Sequence, residues 1–145
     1  MTDEAWPKPV WPKAYDLVWT RFPETTPPEQ PGPKPRPSLI LGVYEEESGG
    51  ALLLVAPGTT RLKQDRRPLD FRITNYAEMQ ACGLAYATRF DLDALLPLPY
   101  TRDWFVPLTA AGKTTPVIGR LSDAMIMAFQ THMAWRAHFL GESDT

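Results

Sequence analysis

Apolar and polar positions alternate through residues 15–22, where Tyr15, Leu17, Trp19 and Arg21 stand against Asp16, Val18, Thr20 and Phe22. A period of two, rich in aromatic and β-branched side chains, predicts a first strand. An apolar run at 38–44, a polar turn at 45–50 closed by two glycines and a second apolar run at 51–56 predict a hairpin whose second strand is buried. Alternation at 69–74 and 84–90 predicts two further strands, and 104–106 a short one, whereas 91–98 fits a helix or an extended segment equally. Residues 117–122 lead into a final helix over 122–140, with Ser122 or Asp123 as its N-cap and Gly141 beyond its end. Ile126, Phe129, Met133, Ala137 and Leu140 recur at steps of three and four, so this helix is expected to pack one apolar stripe.

Proline punctuates the rest. Pro7, Pro9 and Pro12 forbid regular structure in residues 1–13, an arm whose Trp6 and Trp11 are expected to dock on the domain or on a second copy rather than stay in water. Seven prolines between Pro23 and Pro37 predict a long extended loop, a segment that serves as a flap over a site or as a proline ligand. Its end, Lys34-Pro35-Arg36-Pro37, enters the apolar run on a stiff backbone, so Arg36 is aimed at little entropic cost.

At 145 residues the chain fits a single domain, taken as residues 14–145 after the arm. One cysteine, Cys82, allows no internal disulfide, and no leader or membrane-length apolar run is visible, so a reduced, cytoplasmic protein without a membrane span is expected. The net charge of −2 argues against indiscriminate coating of nucleic acid. The stretch from Arg61 to Arg72 is nevertheless basic, with Lys63, Arg66 and Arg67, and it follows Thr59 and Thr60 at a strand end. His132 and His138 have no acidic or thiol partner at ligand spacing, so neither a metal nor a cofactor is expected. Ser38, Ser48, Cys82 and Ser122 lack a nucleophile turn, which sets aside a serine or cysteine hydrolase.

Five segments occur in a telling order: Asp16-Leu17-Val18-Trp19, Glu29-Gln30-Pro31-Gly32 running to Arg36-Pro37, Pro57-Gly58-Thr59-Thr60, Gly83-Leu84-Ala85-Tyr86-Ala87, and Ile118-Gly119-Arg120-Leu121-Ser122. In this the chain resembles the MazF/PemK-type toxins, ribonuclease partners in bacterial toxin-antitoxin pairs. The resemblance implies a small SH3-like β-barrel with a C-terminal helix, assembled as a homodimer. It also implies cleavage of single-stranded RNA and neutralisation by a small antitoxin protein.

Metal-free RNA cleavage needs a base for the 2′-hydroxyl, a proton for the departing 5′-oxygen and donors for the phosphate oxygens. Arg36 suits the last task through its planar fork, and Thr59, with Thr60 beside it, offers a hydroxyl. By resemblance, Arg36 and Thr59 match the family's arginine and hydroxyl residue. Where many members carry an Asp-Gln pair this chain has Thr88-Arg89. Thr88 and Arg89 are then expected to contact RNA with Arg61, Lys63, Arg66 and Arg67, and Glu29 to swing in as base. The products would be a 2′,3′-cyclic phosphate and a 5′-hydroxyl. The alternative is an inactive barrel of the same kind that binds a protein or nucleic-acid partner.

Overall fold

The structure is a computed structural model that describes residues 3–24, 29–62 and 69–141. It is mainly β: a curled antiparallel half-barrel sheet with a C-terminal helix. The strands are β1 (Asp16–Thr20), β2 (Arg36–Glu45), β3 (Ala51–Thr59), β4 (Phe71–Ile73), β5 (Thr88–Phe90), β6 (Leu96–Pro99) and β7 (Val117–Arg120). Their order is β4-β5-β3-β2-β1-β7, and β6 also pairs with β3. Nine residues make β3 long enough for β6 to pair along its first half and β5 along its end.

Each face of the sheet carries a core, because successive side chains of a strand point to opposite faces. Leu17, Leu39, Ala56, Ile73 and Phe90 belong to the first core; Val18, Ile40, Leu53, Val55 and Tyr100 belong to the second. Both sets of alternating positions in β1 are thus used. A bulge shifts the β1–β7 register between Leu17 and Val18, and another interrupts the β2–β3 ladder between Ile40 and Gly42. The second changes the phase of β2, so that Leu41 packs on the first core but Val43 on the second.

The helices cover the first core. α1 (Tyr76–Ala81) starts at Asn75, whose side chain accepts the Glu78 N–H. Gly83, at φ 79°, turns the chain after it, and a Cβ there would lie 2.1 Å from the Ile118 carbonyl oxygen. α2 (Asp123–Phe139) is capped by Ser122, which accepts from Met125 N–H at 3.1 Å and donates to Glu78 at 2.7 Å, tying the two helices together. Met125, Ile126, Phe129 and Met133 pack inward, and Phe129 meets Phe71 edge-on at 5.0 Å. No Asp, Glu, Lys or Arg occurs between Asp123 and Arg136, and the outer face exposes Met127, Trp135 and Phe139.

The arm covers the second core. Trp6 is buried and donates to the Phe105 carbonyl at 2.9 Å, Tyr100 donates to the Val10 carbonyl at 2.9 Å, and Arg102 stacks over Trp6 at 4.0 Å.

Several expected elements differ. The first strand is only Asp16–Thr20. Residues 84–87 do not join the strand: Leu84 N–H closes α1 on the Met79 carbonyl and the chain bends at 85–86, leaving β5 with three residues. Within 91–98 a turn precedes β6, whose Pro97 and Pro99 fit because this short strand needs few ladder donors. Phe105 makes one bridge, to Thr20, and its N–H bonds back to Thr101 as a turn. The expected stripe on α2 ends early: Leu140 is exposed, and Arg136 takes the buried place and pairs with Asp93.

Candidate functional site

Register brings the singled-out residues together. Arg36 stands opposite Thr20 at the start of β2, and Thr59 opposite Arg89 at the end of β3. Continuing the β2–β3 pairing two residues past Ser38↔Pro57 puts Arg36 level with Thr59. Arg89 is in turn opposite Arg72 on β4. Cross-strand partners share a face, so Arg36, Thr59, Arg89 and Arg72 form a row across four strands.

Gly58 allows this close approach. A Cβ there would lie 2.6 Å from the Pro37 carbonyl oxygen and 2.9 Å from side-chain atoms of Phe90 and Thr88. The proline-rich loop is fastened beside the row by paired bonds, Gly32 N–H to the Arg21 carbonyl and Arg21 Nε to the Gly32 carbonyl, both at 3.0 Å.

The cleft that results has a volume of about 410 Å³ and is bordered by Lys34, Arg36, Thr59, Arg61, Arg89 and Asp91, with Glu24 and Phe22 at its edge. A second compartment of about 270 Å³ adjoins it. The two share Lys34, Arg36, Gly58, Thr59 and Arg61, and the second adds Trp19, Pro35, Pro37 and Thr60.

The cations of the cleft are held differently. Arg36 is exposed and makes no hydrogen bond or ion pair with the described residues, so its donors are available to an anion. Arg89 pairs with Asp70 at 2.9 Å, with the two side chains only 12% and 1% exposed, and its Nε donates to the Arg61 carbonyl at 3.2 Å. Thr59 Oγ1 accepts the Arg61 N–H at 3.2 Å, which leaves its hydroxyl proton to donate elsewhere. Arg72 reaches the Leu62 carbonyl at 3.3 Å and supports the chain leaving β3.

Arg36, Thr59, Thr60, Arg61 and Arg89 therefore converge. Thr88 does not: its side chain is inward, the residue is 1% exposed, and its hydroxyl donates to the Tyr86 carbonyl. Alternation along β5 sends Arg89 out and its neighbours in. Glu29 is exposed on the loop and is not among the described residues bordering the cleft. Lys63, Arg66 and Arg67 lie outside the described residues.

Asp91 is the carboxylate that sequence reasoning missed. Its backbone N–H donates to the Pro57 carbonyl at 3.0 Å, and its Oδ1 accepts the Asp93 N–H at 2.9 Å, so the side chain is fixed at the cleft wall two residues after Arg89. The signal was present as the alternation Arg89-Phe90-Asp91, which puts both polar groups on one side of a buried phenylalanine.

No group of three or more His, Cys, Asp or Glu capable of holding a metal occurs among the described residues. His132 instead donates to the Leu69 carbonyl at 2.8 Å beside Phe71. Among the described residues no helix is long and apolar enough to cross a membrane. No protein-family model matches the chain, and no curated protein matches it significantly.

Proposed function

We propose that the chain is a metal-independent, sequence-selective endoribonuclease of the MazF/PemK type. Its half-barrel sheet and helix would be a variant of that SH3-like barrel. The observation that carries the reading is the convergence of Arg36, Thr59, Arg61 and Arg89 with Asp91 in one cleft, from three separate parts of the sequence.

The roles follow from charge and access. Arg36 and Thr59 donate to the two non-bridging phosphate oxygens, where negative charge grows in the transition state. Asp91 takes the proton of the 2′-hydroxyl, whose oxygen attacks phosphorus as the bond to the 5′-oxygen breaks. Arginine does not give up its proton. The 5′-oxygen is thus protonated by water reaching the open cleft, and Asp91 returns its proton to solvent. A 2′,3′-cyclic phosphate and a 5′-hydroxyl remain, and DNA is spared because it lacks the attacking group.

The toxin assignment adds a small antitoxin protein and a homodimer. The uncharged outer face of α2, with Met127 at 68% and Phe139 at 60% exposure, supports pairing with a second copy. Such a face is unusual on a helix left in water.

One observation favours a second reading, an inactive barrel that binds a protein or nucleic acid: Arg89 is already compensated by Asp70. Incubating purified protein with long single-stranded RNA in chelator separates the two. Cleavage to cyclic-phosphate ends, reduced about 10²- to 10³-fold by Arg36→Ala, is expected; intact RNA at high protein concentration selects the second reading.

A further inference from the structure

The two compartments meet at a charged centre, and only the first adds further charged side chains of its own. What they share is cationic or hydroxylic: Lys34, Arg36, Thr59 and Arg61 around Gly58. What belongs to the first alone is Arg89, Asp91 and Glu24 together with one phenylalanine, Phe22, and three prolines. What belongs to the second alone is Trp19, Pro35, Pro37 and Thr60. A phosphodiester has this same sequence of parts, a charged centre with a planar apolar base a few ångströms away.

From this division we infer that the second compartment is a nucleobase subsite in which the base flanking the scissile phosphate stacks on Trp19. The inference rests on the ribonuclease reading for the identity of the polymer. Trp19 is half-buried: it packs on the first core and also lines the compartment. Its backbone is fixed on both sides, with N–H to the Pro116 carbonyl at 2.8 Å and its carbonyl accepting Val106 N–H at 3.1 Å. With its main chain so held and its side chain packed on the first core, Trp19 is a preorganised platform. Pro35 and Pro37 wall the slot with rigid apolar rings. At about 270 Å³ it is slightly below the usual range for ligand pockets, about 300–1,000 Å³, and suits one base. Lys34 and Arg61 at its border offer only donors, so the O6 of guanine or the O4 of uracil suits them better than the exocyclic amino group that adenine or cytosine carries at that place.

The test compares wild type, Trp19→Phe and Trp19→Leu, all checked for folding by thermal melting. Cut sites are mapped on a random-sequence RNA, and binding is measured with an oligonucleotide carrying 2′-deoxyribose at the attacking position, which cannot be cut. Wild type is expected to favour guanine or uracil at one flanking position. Trp19→Leu is expected to weaken binding and raise KM about ten- to a hundredfold with kcat little changed, and Trp19→Phe, which keeps a ring, to recover most of the loss. If wild type cuts without regard to flanking bases, or if folded Trp19→Leu matches wild type, the subsite is refuted while the ribonuclease reading stands. If wild type binds the oligonucleotide through Trp19 but never cuts RNA, the subsite stands and the ribonuclease reading falls. Absence of both binding and cleavage overturns both.

Discussion

The two walls of the cleft are built from the same residue type and hold it in opposite ways. On the β2 side Arg36 follows two prolines and has no partner among the described residues. On the β5 side Arg89 is fixed by the buried carboxylate of Asp70 and by the Arg61 carbonyl, with Asp91 pinned next to it. One wall leaves a cation free to meet phosphate as it becomes more negative; the other holds its groups in place before substrate arrives. Preorganisation and available charge are separate requirements of a phosphoryl site, and here they fall on separate strands.

Removing the pinned carboxylate tests the fixed wall most severely. Asp91→Asn keeps the shape and removes the base, so single-turnover cleavage is expected to fall about 10²- to 10⁴-fold with RNA binding retained or improved. Unchanged turnover would transfer the proton to another group. Next in size is Asp70→Asn, which removes the charge from the buried Asp70–Arg89 pair. Breaking a buried pair costs about 3 to 5 kcal/mol, and because asparagine keeps an acceptor, the expected loss in denaturant unfolding is at the lower end. The mildest test concerns Arg61, which borders both compartments: Arg61→Gln should reduce the salt slope of RNA binding by about one unit without altering stability. An unchanged slope would show that Arg61 does not meet a phosphate.

The sequence made the hairpin and the last helix legible because each carries several agreeing signals, as in the polar turn before Ala51 and the Ser122 cap before α2. Arg36, Thr59, Arg61 and Arg89 were also visible, as basic or hydroxylic residues at strand ends. What was hidden depended on pairing or on short-range hydrogen bonds. Thr88 shares one face of the 84–90 alternation with Leu84 and Phe90, so the pattern already pointed inward, and it was the resemblance that suggested a contact with RNA. α1 has six residues and announces itself mainly through Asn75 and Glu78, a signal easily absorbed into a loop. The phase change in β2 is a bulge, and no local pattern records which residue is the extra one. Trp6 could be expected to dock, but its partner, the Phe105 carbonyl, lies 99 residues away.

Cys82 gives the molecule a built-in clock. It is the one thiol in the chain, 1% exposed beneath the junction of α1 and β7, and it donates to the Glu78 carbonyl at 2.9 Å. Burial pushes its pKa from 9.0 up to about 11, so alkylating reagents must wait for an opening that exposes it. Labelling rates would then count how often α1 lifts away, and bound RNA would slow them only if the cleft and this junction open together. The same burial sets an alkaline limit. An unfolded thiol ionises from about pH 9 while the folded one stays protonated, so this contribution to stability is complete below pH 9 and is lost as pH rises towards 11. Melting temperature should decline across that interval, less steeply in Cys82→Ala than in wild type.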